Sequence, residues 1–187
     1  MTRRPEIRLH TQELPQRARE LRAGDRVLLS GTVYTSRDAA HKRLFSLLEA
    51  GEPLPYDIRG AVVYYCGSTP APENRPIGAC GPTTSGRMDV YAPRLYDLGM
   101  AASIGKGERT PEVAEAIRRN HAVYLCAVGG AGALAARHVV SCEVIAFDDL
   151  GCEAVKRLQL QDFPLIVGID CHSGSLFDRP RIAGANP

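Results

Sequence analysis

Hydrophobic and polar residues follow two periods along the chain, and the two periods alternate. Apolar runs of strand length predict strands at 26–33, 61–66, 100–104, 122–128, 143–147 and 165–169. Between them, apolar residues at helical spacing predict helices at 39–48, in a stretch that ends near 98, at 111–119 and at 133–138. Strands that alternate with helices indicate an α/β fold. Several connections are too short for full crossovers, which favours two sheet layers.

Composition divides the chain into three parts. Residues 1–24 are polar and rich in arginine, residues 25–177 carry the predicted strands and helices, and residues 178–187 have little apolar content. The chain has 187 residues, of which 44% are hydrophobic, and this suits one domain with its own core. We therefore predict an N-terminal extension over 1–24, a single domain over 25–177 and a loose C-terminal tail over 178–187.

Charge and hydropathy argue against several classes of partner. The formal net charge is only +2, from 23 basic and 21 acidic residues, which gives no general reason to expect nucleic acid or an anionic membrane. The N-terminus lacks the apolar run of a secretory signal, and the longest uncharged apolar stretch, 122–136, is shorter than the about 20 residues of a membrane-spanning helix. These features predict a soluble, cytoplasmic protein whose affinity for anions comes from local clusters of Arg and Lys.

The six cysteines lack the spacing that is typical of a metal site. No two of them are separated by two residues, whereas zinc and iron–sulfur sites usually contain such pairs. Cys66 and Cys126 lie in apolar surroundings, where a thiol behaves as a small buried hydrophobe. We expect this chain to bind no metal by itself.

The segment 35–43 places an arginine where a strand gives way to a helix. Arg37 can direct its planar guanidinium toward a carboxylate or phosphate there, beside the N–H donors of the helix N-terminus. Asp38 would cap the helix or hold Arg37. His41 comes four residues after Arg37, so on a helix both face the same way. A capped helix with a solvated basic face explains the same residues.

The loop 80–87 carries three consecutive hydroxyl groups and ends in a second arginine. Thr83, Thr84 and Ser85 are framed by Gly and Pro residues and precede Arg87. Such a loop can grip a carboxylate and present a hydroxyl to a substrate. An ordinary hydroxyl-rich turn that caps a helix has the same composition.

Lys106 follows a predicted strand and lies between two glycines. A ligand or another backbone can approach closely there, although a plain tight turn has the same sequence. If the three loops converge, Arg37, Arg87 and Lys106 form a strongly cationic pocket that suits a small dianion.

A glycine motif further along the chain matches the dinucleotide-binding pattern G-x-G-x-x-A. It runs from Gly130 through Gly132 to Ala135 and follows a predicted strand, and Asp148 and Asp149 come near the distance expected for a ribose-binding acid. The helix after the motif is short, and the motif lies late in the chain. Close packing of the helix against a strand is therefore favoured over NAD binding.

Five segments together resemble the β subunit, or the equivalent C-terminal domain, of class I iron–sulfur fumarases and L(+)-tartrate dehydratases. In the family's order they are GDRVLLSGTVYTSRDAAHKRL, CGPTTSGRMDVY, IGKGER, VGGAGALAA and DFPLIVGIDCHSGSLF. Their combination is far more specific than any single motif. The resemblance implies a swivelling β/β/α three-layer domain and an α subunit that carries a 4Fe-4S cluster. The N-terminal extension is then a candidate contact with that subunit.

The resemblance also assigns roles to residues. The expected catalytic residues are Arg37, Thr83 and Lys106. The expected substrate-binding residues are Arg37, Thr84, Arg87 and Lys106. Asp38 and His41 match the motifs and are expected to support the others. Within this scheme the cations stabilise charge on the substrate, and Thr83 is the candidate base.

The implied activity is that of a hydro-lyase that reversibly hydrates fumarate to malate, active only with its α subunit in a homodimeric or α2β2 assembly. Gly86 beside Arg87 favours fumarate over L(+)-tartrate, and mesaconate is a further alternative. Two readings from other classes are an NAD-binding oxidoreductase domain that uses Gly130 and Gly132 and a non-catalytic regulatory subunit. The retention of all four family residues argues against the regulatory subunit.

Overall fold

The computed structural model describes residues 5–178, which contain seven β-strands and five α-helices. The strands are β1 (Ile7–His10), β2 (Arg26–Thr35), β3 (Val62–Tyr64), β4 (Ala102–Gly105), β5 (Val123–Cys126), β6 (Val139–Ala146) and β7 (Val155–Ile169). The α-helices are α1 (Leu14–Arg17), α2 (Asp38–Ala50), α3 (Ala92–Asp97), α4 (Pro111–Arg119) and α5 (Gly132–Ala136). The predicted α/β class is confirmed. No helix between residues 5 and 178 is long and apolar enough to cross a bilayer.

The first five strands form a parallel sheet in chain order. β1 pairs with β2, β2 with β3, β3 with β4 and β4 with β5. Helices α2, α3 and α4 lie in the connections between β2 and β5. Because these strands run in one direction, their carboxyl ends meet at one edge of the sheet, where ligands commonly bind in α/β proteins.

Strand β7 closes the sheet because it pairs with three other strands. Its residues 157–166 are antiparallel to β2, its last residues pair with β5, and its first residues pair with β6. The strand order is β1-β2-β3-β4-β5-β7-β6, with the additional β2–β7 pairing. The sheet therefore folds back on itself and encloses one apolar core.

The central strands bury both faces in two separate cores. In β3, Val62 and Tyr64 belong to the core enclosed by the sheet, whereas Val63 belongs to the core shared with the helices. This second core includes the helical residues Leu44, Leu95, Tyr96, Val113 and Ile117. Two buried faces explain why the short parallel strands are apolar throughout. The result is one domain, with helices on one side of the parallel strands and β7 on the other.

Residues 5–24 contribute to the core, although their composition predicts no strand or helix. β1 pairs with β2, and Leu9, Leu14 and Leu21 are buried. Arginine and glutamate residues between these leucines obscure the apolar pattern. Contact of the segment 1–24 with a partner stays a prediction. The predicted tail lies almost entirely outside the described residues, because residues 179–187 are not among them.

Strand β7 is longer than predicted and begins at Val155 rather than at Leu165. Leu158 and Leu160 are buried while polar residues occupy the alternate positions, so the strand has a period of two that its many charges hide. β6 likewise begins earlier than predicted, at Val139. For both antiparallel strands, the sequence predicts only the C-terminal part.

Candidate functional site

Two of the predicted cations follow parallel strands that end at the same edge of the sheet. β2 ends at Thr35, two residues before Arg37, and β4 ends at Gly105, immediately before Lys106. β3 lies between β2 and β4 and runs in the same direction. The fold therefore brings both cationic loops to one side of the molecule.

The hydroxyl-rich loop lies across the ends of β3 and β4. The N–H of Thr83 donates to the carbonyl of Tyr65 at 2.7 Å, and the N–H of Ser85 donates to the carbonyl of Lys106 at 2.9 Å. Thr84 and Lys106 also form an isolated parallel bridge. Thr83, which is half-buried, and Thr84, which is exposed, consequently lie next to the loop that carries the lysine.

Arg37 is the N-cap residue of α2, and its side chain lies against a glycine. One of its terminal nitrogens lies 3.5 Å from Glu153 and 3.7 Å from Asp38. A Cβ at Gly67 would come within 2.9 Å of the other terminal nitrogen, so a side chain there would displace the guanidinium. The Nε of Arg37 is buried without a hydrogen-bond partner among residues 5–178.

Asp38 connects Arg37 to Arg87. Its carboxylate accepts a hydrogen bond from the Nε of Arg87 at 2.9 Å and lies 2.7 Å from a terminal nitrogen of the same guanidinium. Arg87 stands in the 3-10 turn Ser85–Met88, with 51% of its side chain exposed. Two carboxylates, Asp38 and Glu153, balance the charges of the two arginines, so the net positive charge of this edge comes from Lys106.

Lys106 lies at the same edge, but its side chain follows the loop after β5. A Cβ at Gly129 would lie 3.3 Å from Cδ and 3.7 Å from Nζ of Lys106, so the aliphatic stem lies along this glycine. Within residues 5–178, no hydrogen bond or ion pair holds the ammonium group. The structure thus groups Arg37 with Arg87 through their shared contact with Asp38, and groups Lys106 with them only by its place on the sheet edge.

Asp89 and Arg109 form a buried ion pair that no sequence pattern predicts. The pair connects the loop after residue 84 to the loop after residue 105. The Nε of Arg109 donates to Asp89 at 2.6 Å, and the two side chains are 0% and 4% exposed. The same carboxylate accepts the N–H of Thr110 at 2.7 Å. The guanidinium also donates to Ser103 at 3.0 Å and lies over the ring of Tyr124.

Asp89 and Arg109 nevertheless lie within the segments CGPTTSGRMDVY and IGKGER. Each carries a charge at the end of a loop whose other members were assigned to substrate binding. Opposite charges at the ends of two such loops are the only signal of the pair in the sequence. That signal does not say whether the charges meet each other or a ligand.

His41 is buried beneath Arg37 and does not face the open edge. Its Nδ1 lies 3.0 Å from the carbonyl of Arg37 and 2.8 Å from the hydroxyl of Ser36, and its ring packs between Tyr65 and Tyr91. Burial lowers the pKa of His41 from its ordinary 6.5 to about 4, although the contact with the Arg37 carbonyl acts in the opposite direction. An uncharged His41 supports the backbone at Arg37 and does not itself bind an anion at neutral pH.

The buried imidazole predicts a pH dependence of folding stability. Because the pKa of His41 falls to about 4 in the folded state, the unfolded chain binds a proton that the folded chain rejects between pH 6.5 and 4. The free energy of unfolding is therefore highest above pH 6.5. It falls by roughly 3 kcal/mol as the pH decreases from 6.5 to 4.

Urea unfolding of the wild type and of His41→Asn at several pH values measures this contribution. Asn retains an N–H donor near the Arg37 carbonyl and does not titrate. We expect the wild type to be the more stable at pH 7 and the difference between the two to narrow as the pH falls toward 4. If the difference in free energy of unfolding between wild type and His41→Asn did not change with pH, His41 would not be the group that titrates in this window.

The glycine motif at 130–135 packs α5 against the hydroxyl-rich loop. A Cβ at Gly132 would lie 2.9 Å from the backbone nitrogen of Gly81, and the N–H of Cys80 donates to the carbonyl of Gly132 at 3.1 Å. β7 separates β5 from β6 and is antiparallel to both. A dinucleotide fingerprint requires a parallel βαβ unit, so the motif lacks its context here. The alternative of close packing is correct, although the contact is with a loop and not with a strand.

The cationic edge is an open surface. Four cavities of the described chain, with volumes from about 160 to about 410 Å³, are lined by residues other than Arg37, Thr83, Arg87 and Lys106. One of the cavities of about 410 Å³ includes Cys152, whose carbonyl approaches Gly67 beside Arg37.

The buried thiols of Cys66 and Cys80 are poor candidates for metal ligands. All six cysteines are free. Burial raises the pKa of Cys66 well above its ordinary value and that of Cys80 to about 11, so these groups resist forming the thiolates that bind iron or zinc. Within residues 5–178, no group of three or more His, Cys, Asp or Glu side chains is arranged to hold a metal ion.

The chain matches one family model and relatives of different lengths. The family model described as Fumarase C-terminus matches residues 2–179. Fumarate hydratase 2 of Leishmania major is 34% identical over 158 residues, which are 83% of this chain and 28% of that protein. The anaerobic class I fumarate hydratase of Escherichia coli is 35% identical over 156 residues, 82% of this chain and 28% of that protein.

An archaeal relative has nearly the same length as this chain. It comes from Methanocaldococcus jannaschii, bears the provisional name L(+)-tartrate dehydratase subunit beta, and is 36% identical over 166 residues, 86% of this chain and 85% of its own length. The chain therefore spans only about 28% of the two fumarate hydratases but most of the archaeal protein.

Proposed function

Because the chain belongs to the fumarase C-terminus family, we propose that it is the β subunit of a hydro-lyase that interconverts malate and fumarate together with an α subunit. The observation that carries this proposal is the meeting of Arg37 and Arg87 on Asp38, at the sheet edge that also bears Thr83 and Lys106. A cluster of cations at an open edge suits a small dicarboxylate that a second chain covers.

Among residues 5–178, no group of three or more His, Cys, Asp or Glu side chains could hold the iron–sulfur cofactor of class I fumarate hydratases. Burial raises the pKa of the thiols of Cys66, Cys80 and Cys142, which opposes thiolate ligation. We therefore assign the 4Fe-4S cluster to the α subunit. The part of the β subunit in the reaction lies in its cations and hydroxyl groups.

The two arginines and the lysine would bind the substrate dianion. A guanidinium pairs with a carboxylate through two parallel hydrogen bonds, and each hydrogen bond to a charged group contributes about 1.5–3 kcal/mol. The side chain of Arg37 is 22% exposed, and its terminal nitrogens would donate to one carboxylate of the substrate. Lys106 would supply a point charge to the second carboxylate.

Dehydration of malate requires removal of a weakly acidic C3 proton. Negative charge then develops on the carboxylate next to C3, and fixed cations stabilise it. We assign the C3 proton to the hydroxyl oxygen of Thr83, whose own proton would first pass to a carboxylate of the α subunit. Neighbouring positive charge favours the alkoxide, because opposite charges lower the pKa of an acid. The C2 hydroxyl departs on the side of the substrate that faces the α subunit.

An α subunit would also strengthen the electrostatics of this edge. Half of the Arg87 side chain is exposed, and ion pairs in water contribute little to binding. A covering chain excludes that water and makes the same contacts stronger. The two fumarate hydratases named above extend over more than three times the length matched here, which leaves room for such a covering part. We propose a homodimer or an assembly of two α and two β subunits.

Fumarate and malate are the substrates that we favour, because Gly86 beside Arg87 resembles the fumarase motif. L(+)-tartrate is the second candidate, and the archaeal relative of equal length, named for tartrate dehydratase, supports it. Mesaconate, a methyl-substituted dicarboxylate, is a third. The three differ by small groups on one carbon skeleton, so the cationic edge alone does not discriminate between them.

Anaerobic co-expression with an α-type partner chain tests the proposal. We expect a stable complex that converts malate to fumarate, followed by the ultraviolet absorbance of fumarate. Tartrate and mesaconate are assayed separately on the same preparation. Turnover of tartrate without turnover of malate would change the assigned substrate from malate to tartrate. A complex that has an intact cluster but acts on none of the three substrates would overturn the proposal of a hydro-lyase.

Three further assignments accompany this function. The layering of strands and helices is consistent with a swivelling β/β/α domain, and we assign it to that type. The segment 1–24 is a candidate contact with the α subunit. Six free cysteines suit a reducing compartment, which supports a cytoplasmic location.

A further inference from the structure

Glu153 links the loop before β7 to the first turn of α2. Its carboxylate accepts the N–H of Ala39 at 3.0 Å and lies 3.5 Å from a terminal nitrogen of Arg37. The side chains of Glu153 and Arg37 are each 22% exposed. One carboxylate therefore holds the guanidinium and also satisfies a backbone donor at the start of the helix.

Helix α2 has no local side chain for this task. Its N-cap residue is Arg37, whose side chain makes no capping hydrogen bond. Ser, Thr, Asp or Asn usually provides the acceptor from the N-cap position itself. Here the acceptor comes from a residue 114 positions away in the sequence, and its negative charge also suits the positive end of the helix.

The backbone beside Glu153 is fixed to the end of β2. The buried hydroxyl of Thr35 donates to the carbonyl of Ala154 at 3.2 Å and accepts the N–H of Lys156 at 2.9 Å. Thr35 lies two residues before Arg37. The position of the carboxylate relative to the arginine therefore follows from the pairing of β2 with the start of β7.

We propose that Glu153 is a positioning residue that orients the guanidinium of Arg37 toward the substrate carboxylate. The effect that this role has on the kinetics with malate rests on the proposed function. Without this carboxylate, Asp38 is the remaining anion in contact with Arg37, and Asp38 already holds Arg87. The guanidinium would then shift toward Asp38 and meet the substrate out of place.

Glu153→Gln tests this role in the α–β complex. Glutamine keeps an oxygen that can accept the N–H of Ala39 but removes the charge that holds Arg37. We expect the KM for malate to rise about tenfold to a hundredfold, because small displacements of an orienting group cost this much, while Tm changes little. Asp149→Asn is the matched control, since Asp149 lies in the same loop and pairs with Arg43 on the same helix.

A double-mutant cycle separates positioning from a structural role. If Glu153 acts through Arg37, the effect of Glu153→Gln should largely disappear in an Arg37→Lys background, which lacks the guanidinium. If Glu153→Gln raised the KM equally in the wild-type and Arg37→Lys backgrounds, Glu153 would not act through Arg37. Wild-type kinetics in Glu153→Gln would overturn the proposal outright.

A measurement on the full-length β chain alone does not depend on the activity. The ¹H–¹⁵N heteronuclear NOE of the Arg37 Nε–H, identified by its loss in Arg37→Lys, reports the order of this side chain. We expect a lower value in Glu153→Gln and no change in Asp149→Asn. An unchanged value in Glu153→Gln overturns the positioning role whatever the substrate. A lowered value, together with a wild-type complex that has no hydro-lyase activity, overturns only the proposed function.

Discussion

Methionine in place of Lys106 is expected to lower kcat/KM for malate about a hundredfold to a thousandfold in the α–β complex, the usual cost of losing one group that stabilises transition-state charge. Methionine retains an unbranched apolar stem that can lie along Gly129 and removes only the ammonium. No hydrogen bond or ion pair in the described chain holds that ammonium, so its loss leaves no internal carboxylate unpaired. The defect should therefore appear in turnover and not in Tm.

Lys42→Met provides the control for a lost positive charge. Lys42 is exposed on α2, and we assign it no part in substrate binding. Steady-state kinetics of both variants, with the cluster content of each preparation measured, give the comparison. A Lys106→Met complex with wild-type kcat/KM would remove Lys106 from the site and leave Arg37 and Arg87 as its cations.

The second large effect concerns the buried pair of Asp89 and Arg109. Arg109→Met should reduce the free energy of unfolding by about 3–5 kcal/mol, because it leaves a carboxylate buried without its cation. The Asp89 side chain is 4% exposed and retains only the N–H of Thr110 among the contacts described above. Urea unfolding of the isolated chain, followed by circular dichroism, measures the loss.

An exposed pair nearby distinguishes burial from simple charge removal. Arg119 of α4 pairs with Asp97, and both side chains are about half exposed. Arg119→Met should cost far less than Arg109→Met, since water replaces the lost contact. Adding Asp89→Asn to Arg109→Met should restore part of the stability, because the unpaired charge is then gone. If Arg109→Met and Arg119→Met lowered the free energy of unfolding equally, burial of the Asp89–Arg109 pair would not explain the cost of breaking it.

The sequence predicted the strands that are apolar on both faces and failed where polar residues alternate with buried ones. β3, β4 and β5 were found because runs such as AVVYYC have few other structures available to them. The first part of β7 was missed, since each buried leucine there lies between polar neighbours. β1 was missed for the same reason in a segment rich in arginine.

The sequence also selected Arg37, Thr83, Arg87 and Lys106 as candidate site residues, but it did not distinguish their partners. Asp38 holds both arginines, whereas His41 lies beneath them and faces away from the edge. The direction of a side chain on a helix depends on which face packs against the core, and helical spacing alone does not decide it.

Part of the local structure can thus be predicted from the chain itself: the longer helices, the strands that are apolar on both faces, the glycines that permit close approach, and the loops that carry cations. The tertiary structure alone decides which of these loops meet. Parallel strands β2 to β4 bring residues 37, 83 and 106 to one edge, and the return of β7 places Glu153 against a helix 114 residues earlier. Contacts of this kind depend on the pairing of distant strands, and no periodicity within a short segment of sequence records that pairing.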